Sequence, residues 1–189
     1  VPLIVYDPSP EADAARGTVS DELVEGIDLA ATFQEYFGGD AIPHRLEGRS
    51  LMPLLHGVTP DDWREFAFSE YDYSATPARM ALAQAPADCR LIMAVSSKWK
   101  YVYAENFRPM LFDLEKDPQE LHDLANDADH AKILNTLKEA VFTWSRRQNQ
   151  RITMDDQTIA GMDGSAEEAG ILIGYWDESE LHTDGNEHV

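Results

Sequence analysis

The chain opens on Val1-Pro2-Leu3-Ile4-Val5-Tyr6, where apolar side chains occupy consecutive positions. Such a run predicts a strand buried on both faces of a sheet. A buried strand needs neighbours for its N–H and C=O groups, so its partners are expected upstream of Val1. Asp7-Pro8-Ser9-Pro10 ends the run, and the stretch to Gly17 reads as loop. Leu23 to Ile27 predicts a short extended piece. The pattern then changes period: Leu29, Thr32, Phe33, Tyr36 and Phe37 recur at helical spacing. Asp28 has N-cap chemistry for that helix, and Gly38-Gly39 supplies a left-handed stop.

Further along, Gly48 to Leu55 predicts a turn and a short helical piece with Ser50 as its cap. Glu65 to Tyr71 alternates and predicts a strand, while the alanine- and proline-containing stretch Ala75 to Asp88 reads as a long loop. Arg90 to Val95 and Lys98 to Ala104 are β-rich runs joined by Ser96-Ser97, a hairpin signal. Leu111 to Leu114 adds a strand, ended by Glu115-Lys116-Asp117-Pro118. Tight turns cannot join parallel neighbours, so these strands predict an antiparallel sheet. A long helix follows from Asp127 to Arg147, its stripe made by Ile133, Leu137, Val141 and Trp144, with Leu134 and Ala140 widening it. Beyond the polar stretch Asp155 to Gly170, Ile171 to Trp176 reads as an isolated apolar strand that needs cover. Glu178 to Val189 reads as a polar tail.

Composition narrows the partners. The 189 residues are 43% hydrophobic, enough for a core, and carry a net charge of −20. That field repels phosphate backbones and anionic lipid, which argues against nucleic acid or a membrane surface. No apolar run reaches the ~20 residues that span a bilayer. The chain shows no initiator methionine, basic leader or apolar signal core, so a cytoplasmic location is expected. One cysteine, Cys89, excludes an internal disulfide framework and a thiolate zinc cluster.

Candidate chemistry is sparse. No Gly-rich phosphate loop, His-Glu-x-x-His or Gly-x-Ser-x-Gly elbow is present. Asp155, Asp156, Asp163-Gly164 and Glu167 lack EF-hand spacing and read as a solvated acidic turn. Metal ligation by His182, Asp184 and His188 would carry a full ordering cost. Cys89 sits between opposing charges, Asp88 and Arg90, and reads as a packed thiol. His44, His56, His122 and His130 are scattered and read as hydrogen-bonded surface residues. Glu70 and Asp72 would share one face of a strand, where solvated edge charges are the simpler reading than acid/base work. Trp63, Trp99, Trp144 and Trp176, with Tyr101 and Tyr103, read as core aromatics rather than a carbohydrate platform. Catalytic, cofactor and metal positions in this chain are therefore assigned to none.

Three stretches, in order, carry a resemblance. The first spans Val1 to Pro8, Val24 to Phe33 and Glu47 to Leu55; the second is Phe68-Ser69-Glu70-Tyr71-Asp72; the third is Lys98 to Tyr103 followed by Leu111 to Leu124. Together they resemble the C-terminal portion of sulfatase-type enzymes of the alkaline-phosphatase-like superfamily, closest to the phosphonate monoester hydrolase and arylsulfatase branch. Ala31 departs from the family's frequent proline before Thr32. The resemblance implies an α/β parent fold, of which this chain is the C-terminal part, an α+β unit with a small antiparallel sheet packed on a long helix. It also implies a partition: 1–60 as the last strand and helix elements of the large domain, 61–150 as the sheet-plus-helix subdomain, and 151–189 as an extension for oligomerisation.

The family's chemistry, a formylglycine nucleophile beside a divalent metal (Mn, Ca or Zn), is expected of the parent and not of this chain. Cys89 is followed by Arg90-Leu91-Ile92, so the Cys-x-Pro-x-Arg signature is absent, and the catalytic residues are expected upstream of Val1. The implied function is the noncatalytic C-terminal portion of a metal-dependent sulfuric, phosphoric or phosphonate monoester hydrolase. Its implied partners are the upstream catalytic half and, through the extension, further copies of itself. The rival is a stand-alone acidic oligomerisation or binding module.

Overall fold

The computed structural model describes residues 2–40, 42, 44–147, 157–158 and 161. The chain divides into two compact units, Val1–Thr153 and Met154–Val189. In the second, residues 157–158 are helical, with the Gly161 amide donating to the Gln157 carbonyl at 3.1 Å. The expected strand Ile171 to Trp176, the acidic residues from Asp155 to Glu167, and His182, Asp184 and His188 lie outside the described residues.

The first unit is built on a four-stranded antiparallel sheet of β1 (Ala67–Asp72), β2 (Arg90–Val95), β3 (Trp99–Ala104) and β4 (Met110–Asp113), in the order β1-β2-β3-β4. The hairpin between β2 and β3 closes on Ser96, whose Oγ accepts from the Trp99 amide at 3.0 Å while its own amide donates to the Trp99 carbonyl at 2.8 Å. Register aligns Phe68 with Ala94, Ala94 with Tyr101 and Tyr101 with Leu111, one row across all four strands. Ala94, Tyr101 and Leu111 form the core with Leu137 and Val141 of the C-terminal helix (Ala131–Arg147). That helix is entered through a 3-10 turn, Ala128–His130, capped by Asp127, whose carboxylate accepts from the Asp129 amide. Phe68 extends the core by stacking on Trp144 at 5.1 Å. Burial of Leu111, Leu137 and Val141 contributes about 1.5–3 kcal/mol each.

Both sheet edges are blunted by carboxylates, as open edges must be. At β4 the Leu111 amide donates to Asp123 Oδ1 at 3.1 Å, and the Leu124 amide returns to the Leu111 carbonyl at 2.8 Å. At β1 the Phe68 amide donates to Glu25 Oε1 at 2.6 Å.

Residues 2–6 pair with none of the four described strands and leave Ile4 91% and Tyr6 70% exposed, so the strand expected there finds no neighbour among the described residues. Three expectations are corrected. Asp28 is no N-cap. Helix α1 (Asp28–Tyr36) starts on Asp28 itself, with Ile27 in the cap position, because the carboxylate is drawn to partners far along the chain. Finally, the stretch from Ala75 to Asp88 is not all loop. After α2 (Met52–Leu55), whose N-cap position is held by Leu51 and not by the expected Ser50, although the Ser50 hydroxyl accepts from the Met52 amide at 3.2 Å, it holds α3 (Pro77–Ala81) and a 3-10 turn, Pro86–Asp88. In both pieces proline opens the turn, where its fixed φ is already helical and its missing N–H is not needed. The C-terminal helix is hence α4.

Candidate functional site

The most elaborate polar arrangement in the first unit centres on Asp28, which is wholly buried. Its Oδ2 accepts from the Glu25 amide at 2.7 Å and from one Arg64 guanidinium nitrogen at 2.6 Å. Its Oδ1 accepts from the Arg49 amide at 2.8 Å and from the second Arg64 nitrogen. The pair is thus bidentate, the strongest geometry open to arginine and carboxylate. Glu25 approaches the same guanidinium at 3.4 Å. Burial works to raise the Asp28 pKa, but the Arg64 hydrogen bonds, the two amides and the Arg64 charge outweigh it, holding the carboxyl below its ordinary value.

Neighbouring residues complete the junction. Thr32 donates to the Asp28 carbonyl at 2.7 Å and accepts from the Leu51 amide at 2.8 Å. Trp63 donates its indole N–H to the Leu23 carbonyl at 3.0 Å, with the Arg64 and Arg49 guanidiniums 5.6 and 5.9 Å from its ring. Gly48 passes so close that a Cβ there would sit 2.2 Å from the Ile27 carbonyl oxygen. Every oxygen of Asp28 is committed, so the junction binds segments of chain together rather than presenting a reactive group.

A second pair lies at Asp7, whose buried carboxylate stands 3.1 Å from His56 Nε2. The Ser9 amide, donating to Asp7 Oδ1 at 2.8 Å, lowers the Asp7 pKa, His56 adds to this, and burial opposes it. Arg16 donates to the carbonyls of Asp7 and Ser9 at 3.0 and 2.9 Å.

The remaining candidates do not converge. Cys89 is fully buried, its thiol 3.3 Å from the Ala85 carbonyl. His44 lies half-buried in a turn. His122 and His130 pair locally with Asp117 and Asp127 at 3.4 and 3.0 Å, and the His130 ring meets Trp99 edge-on at 5.5 Å. Glu70 approaches Arg90 at 3.5 Å, whereas Asp72 accepts from the Ser74 amide at 2.7 Å, so each carboxylate has its own partner. Trp99, Trp144, Tyr101 and Tyr103 belong to or border the core. Asp7, Glu25 and Arg64 escaped notice in the sequence because nothing local links residue 64 to 28 or 56 to 7.

Residues 1–147 match the family described as N-sulphoglucosamine sulphohydrolase, C-terminal. The chain belongs to this family. Its relatives are sulfatases and phosphonate monoester hydrolases. It is 30% identical over 164 residues to the multifunctional alkaline phosphatase superfamily protein PehA of Trinickia caryophylli, covering 84% of this chain and 30% of that protein. It is 25% identical over 162 residues to an arylsulfatase of Clostridium perfringens, covering 85% and 31%. Among solved structures, the phosphonate monoester hydrolase of Silicibacter pomeroyi superposes with a TM-score of 0.65 at 28% identity, over 75% of this chain and 29% of that one. That of Agrobacterium radiobacter gives 0.60 at 29% identity, over 75% and 27%. The fold is therefore part of the alkaline-phosphatase-like architecture, and this sulphohydrolase C-terminal segment spans less than a third of each of these relatives.

The divalent metal expected of the parent finds no fit here. Among the described residues no three histidine, cysteine or acidic side chains converge to hold an ion, and the carboxylates of Asp28 and Asp7 are engaged with Arg64 and His56. Among the described residues no helix is long and apolar enough to cross a membrane.

Proposed function

We propose that this chain is the noncatalytic C-terminal portion of a metal-dependent hydrolase of sulfuric, phosphoric or phosphonate monoesters. One observation carries the reading: a match across residues 1–147 to a family defined as C-terminal, in relatives of which the matched stretch is less than a third. In this reading 1–60 completes the large domain, 61–150 is the small subdomain, and Asp28–Arg64 ties the two together. The parent would supply the formylglycine and the metal site from its preceding part, which is then this chain's first partner. Residues 151–189 would serve assembly into homo-oligomers.

The test is to express the 189-residue chain alone and joined to whatever its gene encodes upstream. Phosphonate, phosphate and sulfate monoesters are supplied with manganese, calcium or zinc. Turnover is expected only from the longer protein. Metal-dependent turnover that stays with the short chain through successive columns overturns the noncatalytic assignment, and a stop codon directly upstream favours a stand-alone module. Removing 155–189 is expected to lower the mass measured by light scattering, and an unchanged mass removes the assembly role.

A further inference from the structure

Helix α1 is built inside out. A surface helix ordinarily turns its apolar stripe to the core and its polar side chains to water. The buried residues of α1 are instead Asp28 and Thr32, while Phe33 is 58%, Tyr36 51% and, in the closing turn, Phe37 81% exposed. Phe33, Tyr36 and Phe37 are spaced i, i+3 and i+4, so they share one face, and the Tyr36 and Phe37 rings meet edge-on at 5.2 Å. The helix is fastened by its polar side, through Asp28 to Arg64, Glu25 and Arg49 and through Thr32 to Leu51. Hydrogen bonds therefore set the helix in place and leave an aromatic ridge free.

We propose that the ridge Phe33–Tyr36–Phe37 is a docking face for an apolar surface on the preceding part of the same hydrolase. This rests on the functional reading above and names the surface through which it operates. Two observations select that occupant. The family is C-terminal and leaves more than two thirds of each relative's length outside the match. The exposure is also lopsided: nine of the sixteen large hydrophobic side chains exposed among the described residues fall within residues 3–37, at the end of the chain where the family's preceding part joins. Aromatic side chains bury about 150–250 Å² each when covered, so a ridge of three is a substantial anchor. Because Asp28 and Thr32 hold the helix before anything docks, little ordering cost remains at the moment of contact.

The double variant Phe33→Asp/Phe37→Asp tests this in two proteins. In the 189-residue chain the thermal midpoint is expected to hold within about two degrees while fluorescence of a bound hydrophobic dye falls at least about twofold, since water-facing rings are removed. In the protein carrying its upstream part, the same pair is expected to lower the midpoint by about five degrees or more, the scale of a few kcal/mol in a chain of that size. Phe33→Leu/Phe37→Leu is expected to restore it. An unchanged midpoint in the longer protein overturns the proposal. So does a halving of the short chain's mass by light scattering, which identifies a second copy as the occupant. Ester turnover in the same preparations separates the two claims: turnover with an unmoved midpoint sinks the docking face alone, and a shifted midpoint without turnover sinks the functional reading alone.

Discussion

Arg64 grips both oxygens of the buried Asp28 carboxylate across 36 residues of sequence, and the same guanidinium lies 5.6 Å from the Trp63 ring. Through this contact the N-terminal helix is held to the strand entry that starts the sheet. The arrangement is satisfied on every side, which is what makes a buried ion pair tolerable.

Breaking that pair leaves an uncompensated buried charge. Asp28→Asn is expected to cost about 3–5 kcal/mol. Arg64→Lys keeps the charge but loses the two-pronged geometry, and a smaller loss is expected. Urea unfolding followed by tryptophan fluorescence measures both, since Trp63 sits against the guanidinium. A Asp28→Asn midpoint equal to that of the parent chain contradicts the role assigned to the pair.

Paired carboxylates also set the acid limit. Asp28 and Asp123 both have lowered pKa values: burial pushes each up, but Arg64 and two amides outweigh it at Asp28, and the Ala125 and Leu111 amides with Arg108 outweigh it at Asp123. Unfolded aspartate titrates near about 3.9, so at low pH the unfolded chain binds more protons than the folded one. The stabilisation is present above that value and lost as pH falls through the lowered folded values. Denaturation midpoints are expected to hold from pH 7 to about 5 and to decline below about 4. Asp123→Asn is expected to shallow that decline, and a slope it leaves unaltered shows that Asp123 takes no share.

Gly48 has no room for a methyl group. Its missing Cβ would meet backbone atoms of Ile27 and Asp28, at 2.2 Å for the nearest, and backbone cannot swing aside as a side chain can. Gly48→Ala is expected to lose at least about 1–3 kcal/mol. Circular dichroism melts decide this, with Gly26→Ala as the comparison because nothing lies within 4 Å there.

Cys89 is expected to ignore thiol reagents until the fold opens. It is sealed beside Ala85 and Tyr73, the Tyr73 amide donating to the Cys89 carbonyl at 3.0 Å. Labelling with a chromogenic disulfide should proceed only in denaturant, and rapid labelling of the folded chain contradicts the burial.

Local pattern carried much of the fold into view. The β-rich runs at Arg90–Val95 and Trp99–Ala104 and the period-3.6 stripe of Ile133, Leu137 and Val141 depend on neighbours within a few residues, so the hairpin and α4 were legible. The ordered stretches from Val1 to Leu124 likewise pointed to the family that residues 1–147 match. Asp28 shows the limit. As a sequence it has the form of an N-cap, because an aspartate before an apolar helical stripe usually serves the amides just ahead.

The amino-acid order alone thus determined the antiparallel hairpin, the long helix α4 and the kinship of the chain. Tertiary structure alone decided that Asp28 turns inward to Arg64, that Asp7 meets His56, and that α1 shows its aromatic face to water. The reason is distance along the chain. Backbone preferences and side-chain periodicity act over one or two turns, whereas a buried carboxylate takes whichever partner the folded path brings within hydrogen-bond reach, and nothing in the residues between them encodes that meeting.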